Sequence, residues 1–500
     1  MKPILIPFLI FQLLAVLVLA QPSIPPSVKS NFAKLTSYPE LSAYIEILEK
    51  QSGLMKAEII GQSVKGRNLY ALKFSSSVFG RDTSKIRVLI FAQQHGNEQS
   101  GKEGALLLAF ELLKPEYRYL FEKIDLALIP QVNPDGSEIN SRRNANGVDL
   151  NRNHLVLDEP ETIALHKLFD RYLFEVTMDV HEYSPYGEEW REYGYRKNSD
   201  IAVGATTNLN VAESIRKISD NGYLPFIFGY LRSRNYSSFT YSPGGPPEVA
   251  YIRHSTFDIN DGRQSFGIQN TLSFIQEGMN GKDDSVENLQ HRSGGQMTGM
   301  QGLLQYVYDN KEMIKTLVAG ERKKLVSPEP NQKVSIQSEH VSNGELLALP
   351  LLSYSTGKDT IILVKDFRPM VNSLNDVHKP SGYLIPKDCT LLVEWANRQG
   401  LEQIPLKSFS GAVVGQYLIT ALDSIDFEGD RTVDPVVVLN ELKVLPDNPG
   451  FIFIPAAQLK GNMLVLALEP KSILGLVTYK KYAHLLKSGR NYPVLRVMKK

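Results

Sequence analysis

Four apolar runs, each ending in a polar cluster, constrain this chain more than any other feature. They occupy residues 85–92, 125–131, 175–180 and 271–276. Each has strand length, and their apolar character is nearly continuous instead of alternating, as expected for strands buried on both faces. Between them the pattern changes to helical spacing at 103–113 and 160–172, the second opening with Pro160 and Glu161 as a helix N-terminus favours. Strands alternating with helices predict an α/β fold, a mixed, mostly parallel twisted sheet with helices on both faces. In such sheets, sites form beyond the carboxyl ends of the strands. The polar clusters fall there: His95, Asn133-Pro134-Asp135-Gly136, His181 and Glu277.

Residues 1–20 are a different material. Lys2 precedes an apolar run at 4–19, and Val18-Leu19-Ala20 places small residues before Gln21. This reads as a signal peptide cleaved after Ala20, which predicts a secreted or periplasmic protein with no stable membrane insertion afterwards. The formal charge of +1 falls to zero without Lys2, and nothing in that balance favours nucleic acid or an anionic membrane. The lone Cys389 cannot form an internal disulfide, and within its apolar stretch it reads as a buried small hydrophobe. Any metal must therefore sit on His, Asp and Glu. A Pro-rich polar break at 325–331 divides the chain into residues 21–325 and 332–500. Short β-type runs at 360–364, 436–439 and 451–454 make the second part a smaller β-rich domain of unassigned role.

His95-Gly96-Asn97-Glu98 brings an imidazole and a carboxylate to one point where a strand leaves the sheet. A distant His, with His181 the candidate at a strand end, completes a His₂Glu zinc site with an open fourth position. Asp179 or Glu182 is placed to hold the second ring nitrogen of His181. The segment 144–153 reads as a tight loop presenting amide and guanidinium donors. Arg152 suits bidentate grip of a carboxylate, Asn151 a neutral donor, and upstream Arg142 a developing oxyanion.

These pieces resemble the zinc carboxypeptidase A superfamily (peptidase family M14), bacterial-type secreted members included. The matching motifs occur in the family's order: Gly61-Gln62-Ser63-Val64-Lys65-Gly66-Arg67, His95-x-x-Glu98, Asn133-Pro134-Asp135-Gly136, residues 142–153, Asp179-Val180-His181 and Gln276-Glu277. The resemblance implies one Zn²⁺ per chain on His95, Glu98 and His181. It implies Arg142, with Arg143 as the alternative, polarising the scissile carbonyl, and Asn151 with Arg152 binding a terminal carboxylate. It implies Glu277 as general base, acting on a peptide or peptide-like substrate with a free C-terminal carboxylate. The family's substrate-capping Tyr has two candidates, Tyr241 and Tyr251, and an Arg that bacterial relatives carry near Asn270 is absent. A zinc amidase on cell-wall peptides and a non-catalytic peptide-binding module are the competing readings. The intact Glu277 and ligand set argue against the second.

Overall fold

The computed structural model describes residues 23–282, 285–327, 331–404, 413–427, 430–442 and 450–499. The expected signal peptide and part of the expected break at 325–331 lie outside the described residues. The first part of the chain contributes β1 (Met55–Gln62), β2 (Asn68–Phe74), β3 (Ile86–Ala92), β4 (Ile124–Ile129), β5 (Val176–Tyr183), β6 (Tyr195–Lys197), β7 (Ile201–Ala205), β8 (Ser238–Thr240), β9 (Ile252–Arg253) and β10 (Leu272–Met279). Eight of these form one sheet in the order β1-β2-β4-β3-β5-β10-β7-β8. Its centre, β4-β3-β5-β10, is parallel, and antiparallel pairs flank it. The four apolar runs are these central strands, as the α/β expectation requires.

Alternation along β3 shows why both faces are covered. Val88, Ile90 and Ala92 pack into one core with the helix Gln99–Leu112 and the helix Leu289–Asp309, while Leu89 and Phe91 point to a second core holding Leu165, Leu168 and Phe169 of the helix Pro160–Tyr172. A run that must satisfy two cores has no polar face, hence its continuous apolar character.

The remainder is β-rich, as expected. It holds β11 (Lys333–Val341), β12 (Leu347–Ser353), β13 (Asp359–Val364), β14 (Phe367–Arg368), β15 (Met370–His378), β16 (Gly382–Pro386), β17 (Val413–Phe427), β18 (Asp430–Leu442), β19 (Phe451–Pro455) and β20 (Arg490–Lys499). Its largest sheet runs β18-β17-β20-β16-β19. Two backbone pairings join it to the first part: β12 lies antiparallel to β6, and β14 parallel to β9. Packing joins them too. Trp395 is fully buried and donates from Nε1 to the Leu155 carbonyl at 2.8 Å, in a core that holds Leu155, Val156, Phe257 and Ile259 beside Leu392 and Leu464. Cys389 precedes the helix Thr390–Arg398 and is half-buried against this core.

Candidate active site

The end of β3 turns sharply. Gln93 takes a positive φ of 60°, a conformation an L-residue holds only where surrounding bonds enforce it. Its amide does so, donating to the Gly96 carbonyl at 3.0 Å and to Gln99 Oε1 at 2.8 Å. Gly96 has no room for a side chain, since a Cβ there would sit 2.2 Å from the Gly136 backbone. The turn of the His95–Glu98 motif is thus seated on the Asn133–Gly136 motif. In the same region Asp135 accepts from the Lys65 amide at 2.9 Å and from Arg67 Nη1 at 2.5 Å, so it ties down the 61–67 turn.

This seating brings three buried donors together. His95 Nδ1 lies 2.8 Å from Glu98 Oε1, His181 Nδ1 lies 2.9 Å from Glu98 Oε2, and the two Nδ1 atoms are 3.1 Å apart. Burial disfavours charge on all three. Yet the mutual attraction, with Asp149 on His95 and Asp179 on His181, leaves both imidazoles raised and Glu98 below the usual carboxylate range. A cluster this acidic demands positive charge at one point. Two ring nitrogens and a carboxylate converging there fit a divalent cation of borderline softness such as zinc.

The far ring nitrogens face carboxylates: His95 Nε2 is 3.0 Å from Asp149 Oδ1, and His181 Nε2 is 2.8 Å from Asp179 Oδ1 as an ion pair, with Asn151 Nδ2 also 3.3 Å from it. The choice between Asp179 and Glu182 is thereby made. Glu182 instead accepts from Ser100 Oγ at 2.6 Å and from Arg292 Nη2 at 2.6 Å, while burial keeps its carboxyl raised.

Behind these groups runs a hydrogen-bonded chain with only one consistent direction. Gln94 Nε2 donates to Asp179 Oδ2 at 2.8 Å and to Asn151 Oδ1 at 3.1 Å, so Gln94 Oε1 is the acceptor that faces His154 Nε2 at 2.7 Å. His154 must then carry its proton on Nε2 and accept at Nδ1 from His166 Nε2, 2.9 Å away. Burial agrees, lowering His154 to about 4 and His166 well below its ordinary value. Asn151 is fixed from a second side by the Gly262 amide at 2.8 Å. Residue 262 must be glycine for this approach, because a Cβ would lie 2.6 Å from Asp179 Oδ2.

The in-register pairing of β5 with β10 sets Glu277 directly beside His181. Glu277 is buried within the strand and not on an exposed turn, and burial raises it to about 7 against the pull of His181. Glu277 borders a cavity of about 360 Å³ that His95, Glu98, Arg142, Asn151, Arg152 and Tyr241 also line. Arg142 reaches Glu98 at 3.4 Å and Asp149 at 3.0 Å, whereas Arg143 turns away to the Gly147 carbonyl. Arg152 donates to the Asn151 carbonyl at 2.8 Å, and Asp258, Asp149 and Asp261 nearby hold its guanidinium above the ordinary value. Of the two tyrosines, Tyr241 faces the cavity and Tyr251 lies under the Arg368 guanidinium.

A zinc carboxypeptidase family model matches residues 41–238, a span containing His95, Glu98, Arg142, Asn151, Arg152 and His181. The chain carries a zinc carboxypeptidase domain over this span. It is similar to Carboxypeptidase 2 of Trichophyton rubrum, 24% identical over 95% of this chain and 89% of the relative. It is also similar to the Carboxypeptidase N catalytic chain of Homo sapiens, 36% identical over 44% of this chain and 57% of that one. Among solved structures, a metallo-carboxypeptidase from Burkholderia cenocepacia aligns with a TM-score of 0.43 at 18% identity, over 55% of this chain and 70% of that one. On this domain and these relatives the chain is a zinc metallopeptidase, although Glu277 lies beyond the span matched.

Sequence reasoning missed several groups around this metallopeptidase site. Gln94, His154 and His166 carried no motif, and only their spatial sequence of donors and acceptors identifies them. Lys197, Leu349 and Pro350 also line the cavity, the last two from beyond residue 332. Nothing in local sequence links them to it.

Proposed function

We propose that this chain removes the C-terminal residue of peptides by metal-dependent hydrolysis. The observation that carries this reading is the convergence of His95, Glu98, Glu277, Arg142, Asn151 and Arg152 on one cavity, with His181 completing the donor cluster behind it. His95, Glu98 and His181 would hold the zinc, which when bound would supply a Lewis acid and lower the pKa of water. Glu277, poised near neutrality, takes the attacking water's proton and returns it to the leaving amine. Arg142 presents a half-exposed guanidinium to the carbonyl oxygen as charge develops there. Arg152 and the Asn151 amide hold the terminal carboxylate, which places the last peptide bond against Glu277. Tyr241 caps the bound residue.

Residues 21–325 form the catalytic part in this reading, and 332–500 the β-rich part whose β12 reaches the cleft. Export after cleavage at Ala20 belongs to the same proposal. No helix among the described residues is long and apolar enough to cross a membrane, and N-terminal sequencing of protein from the producing cell's medium tests the cleavage point.

The activity is tested on purified protein by metal analysis and by turnover of blocked and C-terminally free peptides. One zinc per chain and cleavage of free termini only are expected, with Glu277→Gln lowering kcat on the order of 10²–10⁴-fold. Turnover unchanged in Glu277→Gln, or indifferent to a blocked carboxyl terminus, refutes the assignment.

A further inference from the structure

We propose that Lys197, fixed at the cleft by β6 and by the β12 strand paired with it, selects substrates with an acidic side chain within one residue of the scissile bond. The inference rests on the carboxypeptidase reading and deepens it by naming a substrate class.

The cavity lining includes four carboxylates, Glu98, Glu182, Asp261 and Glu277. Glu98 faces the two ligand imidazoles, Glu182 is paired with Arg292 at 2.6 Å, and Asp261 with Arg263 at 3.0 Å. Glu277 is reserved for proton transfer. Among the cations, Arg142 is paired with Asp149 and Glu98, and Arg152 is assigned to the terminal carboxylate. Lys197 forms no ion pair among the described residues. Its Nζ donates to the Ser242 carbonyl at 2.7 Å and lies 5.1 Å from the Trp190 ring centre.

An ammonium needs more than one neutral acceptor and a ring when its surroundings are apolar. Trp190, Phe239, Ile275, Leu349 and Pro350 are the apolar part of the lining that Lys197 shares, and the Trp190 ring lies against its ammonium. Burial, with Arg253 nearby, lowers Lys197 to about 8, so the group carries its charge at neutral pH at a desolvation cost. Glu277 offsets this only weakly, and among the described residues the two form no ion pair, so Lys197 does not act as the base's counter-ion. A substrate carboxylate would supply the missing partner. With Arg152 on the terminal carboxylate, the cleft then offers one cation for each of two substrate anions.

The position of Lys197 depends on the C-terminal part. Leu351 of β12 pairs with Lys197 in register, and Leu349 and Leu351 are buried with Tyr195 and Ile252. The hairpin β12–β13 is therefore one wall of the specificity cleft and also the brace for its charge.

The test uses the full-length zinc-loaded protein and peptides identical except for Glu, Gln, Leu or Lys at the terminal or the penultimate position. The parent is expected to favour Glu over Gln at one position by on the order of ten- to a hundredfold in kcat/KM, the range of a charge-assisted hydrogen bond. The readout is this ratio within each variant. Lys197→Gln should bring it close to one, Lys197→Arg should retain it, and Lys197→Glu should turn preference toward Lys. Neutral peptides cleaved without acidic preference, or a preference that persists in Lys197→Gln, overturn the inference and leave the carboxypeptidase reading intact. No cleavage of any peptide overturns that reading, and the inference with it.

Discussion

The His166–His154–Gln94 chain makes a quantitative prediction, because its direction leaves no place for an extra proton. His154 donates from Nε2 and accepts at Nδ1, so protonation of Nδ1 sets two N–H groups against each other across 2.9 Å. Burial lowers His154 most. Asp179, Asp261 and Asp149 pull the other way and His181 adds repulsion, with a net value of about 4. An unfolded imidazole takes its proton near 6.5 and the folded one only near 4, so acid favours the unfolded chain between those values and stability falls as pH drops. Integrated from about pH 7.5 to about pH 4.5, that shift amounts to about 2.5 kcal/mol. His166 acts in the same direction. His154→Gln keeps a donor for Gln94 and an acceptor for His166 but cannot titrate. Urea unfolding of the metal-free protein in EDTA, measured across this range, should show the parent losing about 2.5 kcal/mol more than the variant. Parallel stability–pH curves would falsify the assigned proton positions, whatever the absolute stability of the variant.

Three further outcomes follow from the same geometry. Asp179→Ala removes the partner of His181 Nε2, and zinc retention against a competing chelator should weaken about 10–100-fold. Trp395→Ala should lower stability by about 3–5 kcal/mol in a thermal or urea melt, since it empties a fully buried site and removes one of the two side-chain donors to the Leu155 carbonyl, Gln399 being the other. A loss under about 1 kcal/mol would show that the two parts of the chain are not joined through this core. Gly262→Val forces Asp179 or Gln94 to move and should raise KM for C-terminally free peptides through Asn151, at a stability cost of about 1–3 kcal/mol. An unchanged KM would separate Asn151 from substrate binding.

The amino-acid sequence by itself determined the layered architecture and the coarse chemistry. Continuous apolar runs such as 85–92 are legible because a strand facing two cores has no polar side, and the helix Pro160–Tyr172 is legible from its opening residues. His95 and Glu98 are three residues apart, so one turn of chain brings them together. The resemblance of six ordered motifs then supplied the family. Tertiary structure decided what depends on register and on residues distant in the chain. Glu277 stands beside His181 only because β10 pairs in register with β5, nearly a hundred residues away. Asp179 was chosen over Glu182 because Arg292 and Ser100 claim the latter from two other elements, the helices Leu289–Asp309 and Gln99–Leu112. Arg142 and Arg143 are adjacent in sequence, and their separation into cleft and surface is a matter of backbone direction. The cleft wall at Leu349 and Pro350, with the Lys197 charge it braces, had no local signature, because a side chain's partners are set by what folds against it and not by its neighbours along the chain.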